Sequence, residues 1–151
     1  MKKTKPIYFE PTLELQCNAT VQSIEQAENF KQPDCHVVIL DQTVCHPQGG
    51  GQPFDTGIIS GDDSSSFEIL DARMDRDTEC IHHIGKFTNG LFSVGDVVKI
   101  KINQEKRLLY SQLHTAGHLV DASLHLLGYE WKPTKGYHFP GGPYVEWNTR
   151  V

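Results

Sequence analysis

His46-Pro47-Gln48-Gly49-Gly50-Gly51-Gln52-Pro53-Phe54-Asp55-Thr56-Gly57 is the stretch on which the reading of this 151-residue chain turns. Three consecutive glycines bring no side chains to pack. They mark a tight turn, or a place where another group approaches the backbone closely. The run lacks Gly-Lys-Ser/Thr and does not follow G-x-G-x-x-G, so neither a P-loop nor a dinucleotide fingerprint applies. A plain structural turn and an anion-cradling nest both remain open. Gln52 adds a side-chain amide with donors and an acceptor. Asp55 and Thr56 add a carboxylate and a hydroxyl beside the next element.

The residues around this loop read as β. The apolar run His36 to Asp41, bounded by Pro33-Asp34 and the glycine loop, fits a short buried strand. Ala19 to Ile24 alternates, and Thr56 to Ser60, Phe67 to Asp71, Cys80 to Ile84 and Val97 to Ile102 continue the pattern. Turn compositions separate them, Gly61-Asp62-Asp63-Ser64-Ser65-Ser66 and Gly95-Asp96 among them. Many short strands with turns between them predict a small antiparallel barrel or sandwich over residues 1–103.

At Asn103 the pattern changes. Asn103 suits an N-cap, Glu105 complements the helix dipole in the first turn, and no proline interrupts Gln104 to Leu127. Leu109, Leu113, Ala116, Val120, Leu124 and Leu127 step by three and four, which marks one apolar arc of a helix closed by Gly128. Trp131 to Phe139, with Pro133 and Gly136, reads as a loop or β excursion, and Tyr144 to Trp147 as a last strand. Residues 104–151 therefore read as a second domain that is only begun. Its apolar arc needs cover, from self-association or from packing on the barrel.

The helix carries His114-Thr115-Ala116-Gly117-His118. Two imidazoles four residues apart share one face and can chelate a divalent ion; a bare polar face is the alternative. His114, His118, Asp121 and His125 fall within roughly 60° of one another, opposite the leucine arc. His125 lies ~10 Å along the axis from His118, too far to share an ion with His114. His138 can approach from outside the helix. No cysteine follows residue 80.

The formal charge of −5, with 22 % charged residues, argues against a broad basic surface for indiscriminate nucleic-acid binding. Lys99, Lys101, Lys106 and Arg107, and the weaker pair Lys132 and Lys135, read as solvated charges. The basic start is not followed by an apolar stretch, and no segment approaches membrane-spanning length. A cytoplasmic protein with no membrane partner is expected. Its cysteines Cys17, Cys35, Cys45 and Cys80 form no C-x-x-C pair and are expected to be reduced. Cys45 and His46 point to opposite faces of a strand, and the Cys80/His82 pair reads as incidental.

Taken together and in order, these segments resemble the alanyl-tRNA editing family, which comprises the editing region of alanyl-tRNA synthetase and the free-standing AlaX-type proteins. The carriers are Asp41-Gln42-Thr43-Val44, His46 to Pro53, Asp55-Thr56-Gly57, Gly95-Asp96, Arg107 and His114 to His118. The resemblance implies an α+β chain: an N-terminal barrel of the translation-protein type, then the opening of an α/β editing domain of the threonyl/alanyl-tRNA synthetase type. It implies hydrolysis of alanine tRNA mischarged with serine or glycine, recognised at the acceptor end. It implies Zn2+ held by His114 and His118 together with a later C-x-x-x-H, to which nothing in this chain corresponds. Gln52 and Thr56 are then the catalytic candidates that sense a serine hydroxyl, and Gly49, Gly50, Gly51 and Asp55 line the substrate. The competing expectation is a non-catalytic module that binds the tRNA acceptor end or another protein.

Overall fold

The computed structural model describes residues 2–10, 13–28, 30 and 32–149. In chain order the elements are β1 (Lys5–Pro6), a 3-10 turn (Ile7–Phe9), β2 (Gln16–Gln26), β3 (His36–Leu40), β4 (Gln42–Thr43), β5 (Gly57–Ser60), β6 (Ser66–Asp75), β7 (Cys80–Asn89), β8 (Val97–Ile102), α1 (Gln104–Leu126), β9 (Lys132–Tyr137) and β10 (Tyr144–Asn148). The chain is α+β. It divides into two compact units, one of residues 1–48 with 54–104, the other of Gly49–Pro53 with Glu105–Val151.

The first unit is a closed barrel in the order β2-β3-β7-β6-β5-β8, every neighbouring pair antiparallel. Closure removes the open edges that a six-stranded sheet would otherwise expose. In β8 the alternation is complete: Val98, Ile100 and Ile102 are buried while Val97, Lys99 and Lys101 are exposed. This period of two fixes which face looks inward. The core gathers Val21, Val38, Leu40, Ile59, Phe67 and Ile69 with their neighbours. Phe87 meets Phe67 edge-on at 70° and 5.1 Å, and meets Phe92 at 63° and 4.9 Å. Such tilted packing is the arrangement that ring quadrupoles favour in a core.

One histidine sits inside this barrel. His83 is fully buried, and its Nδ1–H donates to the Val38 carbonyl at 2.9 Å. Its Nε2 accepts the Thr43 hydroxyl at 2.9 Å, and that hydroxyl oxygen accepts the Cys45 N–H at 3.0 Å. The four cysteines are free thiols. Among the described residues no helix is long and apolar enough to cross a membrane.

The second unit is α1 and the antiparallel β9–β10 hairpin, with the glycine loop against them. Leu113, Ala116 and Val120 of the apolar arc line a 220 Å³ groove with Pro143, Tyr144, Val145 and Trp147 of the hairpin side. Of the rest of the arc, Leu124 is half-buried, while Leu109 is 43 % exposed and Leu127 73 %. One expectation is corrected here. Lys99, Lys101 and Lys106 are exposed as expected, but Arg107 is buried, 5 % exposed. A run of like charges in sequence does not distinguish a solvated lysine from an arginine whose planar guanidinium is taken inside.

Candidate functional site

The site in the second unit starts from the glycine loop. Gly49 and Gln52 exchange backbone hydrogen bonds, with Gln52 N–H to Gly49 O at 2.9 Å. The two residues between them, Gly50 and Gly51, have φ of +57° and +77°. Two consecutive left-handed residues make the mirror-image turn that closes a two-residue hairpin, which is why glycine stands at both. A Cβ at Gly51 would also overlap the Gly136 carbonyl. The loop is fastened at that point, because His138 N–H donates to Gly51 O at 2.8 Å.

Gln52 leaves this turn buried and aimed at α1. Its amide oxygen accepts from His114 Nδ1 at 2.9 Å. An amide oxygen can only accept, so His114 carries its proton on Nδ1 and keeps the lone pair on Nε2. His114, His118 and His138 then form a row. His114 stacks on His118 at 4.9 Å and 21°, and on His138 at 4.5 Å and 16°. His138 reaches the helix because position 117 has no side chain; a Cβ there would stand 2.5 Å from His138 Cε1. Behind them the Trp147 indole N–H donates to Asp121 Oδ1 at 2.8 Å and ties β10 to α1.

A 310 Å³ cavity opens beside this row, lined by Gly50, His114, His118, Asp121, Lys135 and His138 among others. Partial burial pushes the His114 pKa below its ordinary 6.5, and the neighbouring His138 and His118 add like-charge repulsion. His138 is pushed down for the same reasons, burial first and then His118. Both rings are therefore neutral at pH 7 and able to accept a proton or a hydrogen bond.

The expected residues thus divide. Gly49, Gly50, Gly51, Gln52, His114 and His118 come together in the second unit, and His138 joins them. His125 is exposed. Asp55 and Thr56 belong to the barrel unit. Asp55 is fully buried there and its carboxylate accepts the His46 N–H at 2.7 Å, while the Thr56 carbonyl accepts the Asn103 N–H at 2.8 Å. Gly117 and the Asp121–Trp147 bond were not foreseen. A glycine inside a helix costs about 1 kcal/mol of propensity, and that is the signal for a close approach. For a metal, His114 and His118 supply two donors with one tautomer already fixed, a usual support for a ligating imidazole. Among the described residues no set of three His, Cys, Asp or Glu side chains is arranged to hold an ion.

Residues 1–106 match the family model of class II (A) tRNA synthetases. The chain belongs to the alanyl-tRNA editing family. It is 39 % identical over 95 residues to the alanyl-tRNA editing protein AlaX-L of Pyrococcus horikoshii, covering 62 % of this chain and 22 % of that protein. It is 30 % identical over 118 residues to AlaX-M of the same organism, covering 78 % and 47 %. The alanine–tRNA ligase of Halobacterium salinarum is 31 % identical over 120 residues, covering 80 % and 12 %. The chain therefore spans about half the length of AlaX-M and less than a quarter of the other two. Within the family match lies the whole barrel, with the glycine loop that feeds the second unit.

Proposed function

We propose that the protein takes part in hydrolytic editing of alanine tRNA, removing serine or glycine from the ester at the acceptor end. One observation carries this reading: the triglycine loop delivers Gln52 to His114, within a row of imidazoles beside an open cavity. The barrel is read as the translation-protein type, and the second unit as the opening of an editing domain of the threonyl/alanyl-tRNA synthetase type. Residues 104–151 form that domain in this reading and 1–103 the barrel.

Zinc belongs to the proposal. His114 and His118 would hold it, and zinc bound there would supply Lewis-acid polarisation of an ester carbonyl. The chain's own groups do the rest. The Gln52 amide fixes the His114 tautomer and presents its NH2 to a serine hydroxyl. A pocket built around that hydroxyl rejects alanine, because its polar groups go unpaired without it. Neutral His138 accepts a proton from attacking water. The backbone of Gly49 to Gly51 approaches the terminal nucleotide without side-chain obstruction. The exposed part of the α1 arc is the surface for self-association, seen as a concentration-dependent sedimentation coefficient that Leu109→Lys abolishes.

The test is deacylation of seryl-, glycyl- and alanyl-tRNA(Ala) by the full chain. Serine or glycine should be released and alanine spared, with His114→Ala slowing release by about 100-fold or more. Metal analysis of the same samples should find zinc that disappears in His114→Ala. Retention of full activity by His114→Ala overturns the reading. A protein that shifts alanine tRNA on a gel without hydrolysis is the non-catalytic binding module instead.

A further inference from the structure

The cavity beside the histidine row contains a carboxylate as well as imidazoles. Asp121 stands one helical turn beyond His118, on the same side of α1, and lines the 310 Å³ cavity together with His114 and His118. Its Oδ1 accepts the Trp147 indole N–H at 2.8 Å. Among the described residues, Oδ2 has no hydrogen bond and the carboxylate has no ion pair. The side chain is half-buried. A carboxylate drawn partly out of water and given one neutral donor still gains from a cation at its second oxygen.

The wall of the cavity narrows the choice of cation. Among the described residues Asp121 is its only carboxylate and Lys135 its only lysine or arginine. The Lys135 ammonium stands 5.3 Å from the centre of the Tyr144 ring and makes no ion pair with Asp121. Gly50, Gly117 and Gly136 bring no side chains to the wall, so a small group has room beside the carboxylate. Spacing along the helix narrows it further. His118 and Asp121 are about 4.5 Å apart along the axis. In an α-amino ester the nitrogen lies about 2.5 Å from the carbonyl carbon. An ammonium–carboxylate hydrogen bond adds about 2.8 Å. An ester carbonyl at the level of His118 therefore brings its α-ammonium within one hydrogen bond of Asp121.

We propose that Asp121 receives the primary ammonium of the aminoacyl group and so selects esters with a free amine. The aminoacyl source of that ammonium rests on the editing function proposed above. An ester whose nitrogen is acylated carries no charge there and leaves the carboxylate without its partner, which disfavours it. The ammonium contact itself does not depend on hydrolysis, and its test uses ligands that cannot be hydrolysed.

The experiment titrates the full chain with two amides of 3′-amino-3′-deoxyadenosine, one carrying L-serine and one carrying 3-hydroxypropionic acid, which lacks only the amine. At pH 6.5 an α-amino group is protonated. Calorimetry should show the seryl amide binding about tenfold more tightly, and Asp121→Asn should bind the two alike. Asparagine keeps an oxygen for the Trp147 indole, so β10 stays tied to α1. Equal affinities in the parent, no binding of either amide, or a preference unchanged in Asp121→Asn overturns the assignment. Serinamide binding as tightly without the nucleoside overturns the aminoacyl source. The Trp147 indole N–H resonance of the unaltered protein gives a second readout. It should move with the seryl amide alone, and no movement overturns the proposal even if Asp121→Asn does not fold. Zinc kept by the parent and lost from Asp121→Asn makes the carboxylate a metal donor and likewise overturns it. Absence of deacylation with these results intact removes the editing function and leaves the ammonium contact standing. Deacylation with no preference between the amides does the reverse.

Discussion

At Gln52 one amide oxygen settles the protonation pattern of a histidine. The left-handed turn at Gly50 and Gly51 sets the direction in which the side chain leaves the loop, and the 2.9 Å bond to His114 Nδ1 follows from it. Gln52→Ala leaves that N–H without its acceptor, at a cost of about 1 kcal/mol. The expected outcome is visible in imidazole nitrogen NMR. His114 should report a single Nδ1–H tautomer in the parent and a mixture in Gln52→Ala. A single tautomer in both proteins would show that another group fixes the ring. The sequence displayed both partners, a glycine-rich loop with an amide and a histidine pair on a helix. It did not display their pairing, because 62 residues separate them and nothing in the spacing of either motif names the other.

Among the elements, α1 and the β9–β10 hairpin depend on Gly117. An alanine there improves helix propensity by about 1 kcal/mol. Its Cβ would also stand 2.5 Å from His138 Cε1 and 3.3 Å from Val145 Cγ2. His138 is only 5 % exposed and its backbone is held by Gly51, so the ring has little room to retreat. Overpacking of that kind costs about 1–3 kcal/mol, so it outweighs the propensity gain. Gly117→Ala should therefore lower the urea midpoint of the second unit and shift the His138 ring resonances, whereas Ala122→Gly, at an exposed helix position, should change only stability. Legibility at this scale followed side-chain alternation. β8 was readable to the residue because Val98, Ile100 and Ile102 alternate with exposed positions. β6 and β7 run beyond the expected Asp71 and Ile84, to Asp75 and Asn89. Their outer ends carry exposed Arg73, Met74 and Asn89, where no apolar rhythm exists to read. Pro133 and Gly136 leave Trp131 to Phe139 open between loop and β excursion; the strand forms because a two-stranded hairpin tolerates both where a central strand does not.

At the scale of the whole molecule, acid should act on the barrel through an ionisable ring in its core, besides what it does at His114 and His138, whose pKa values are also lowered. His83 donates to Val38 O and accepts from Thr43, an arrangement complete only for the neutral imidazole. Burial lowers its pKa from 6.5 to about 4, with the repulsion of His82 assisting and the Val38 bond opposing. The unfolded chain binds this proton below about pH 6.5 and the folded one only below about 4. The stabilisation is therefore full above pH 6.5, falls as the pH drops, and is exhausted near 4. A shift of that size corresponds to about 3 kcal/mol. Asp63 and Asp75 are also held below the usual carboxylate range, by turn hydrogen bonds from Ser65 and from Asp77 respectively. Asp63 is exposed and Asp75 half-buried, and carboxylates of lowered pKa lose their contribution at lower pH than His83 does. Urea unfolding followed through the barrel at pH 7.5, 6, 5 and 4 should show stability falling across this window. His83→Gln keeps an N–H for Val38 and an oxygen for the Thr43 hydroxyl but does not titrate. It should be less stable at pH 7.5 and nearly flat from there to pH 5. An equal slope in both proteins would place the acid sensitivity elsewhere.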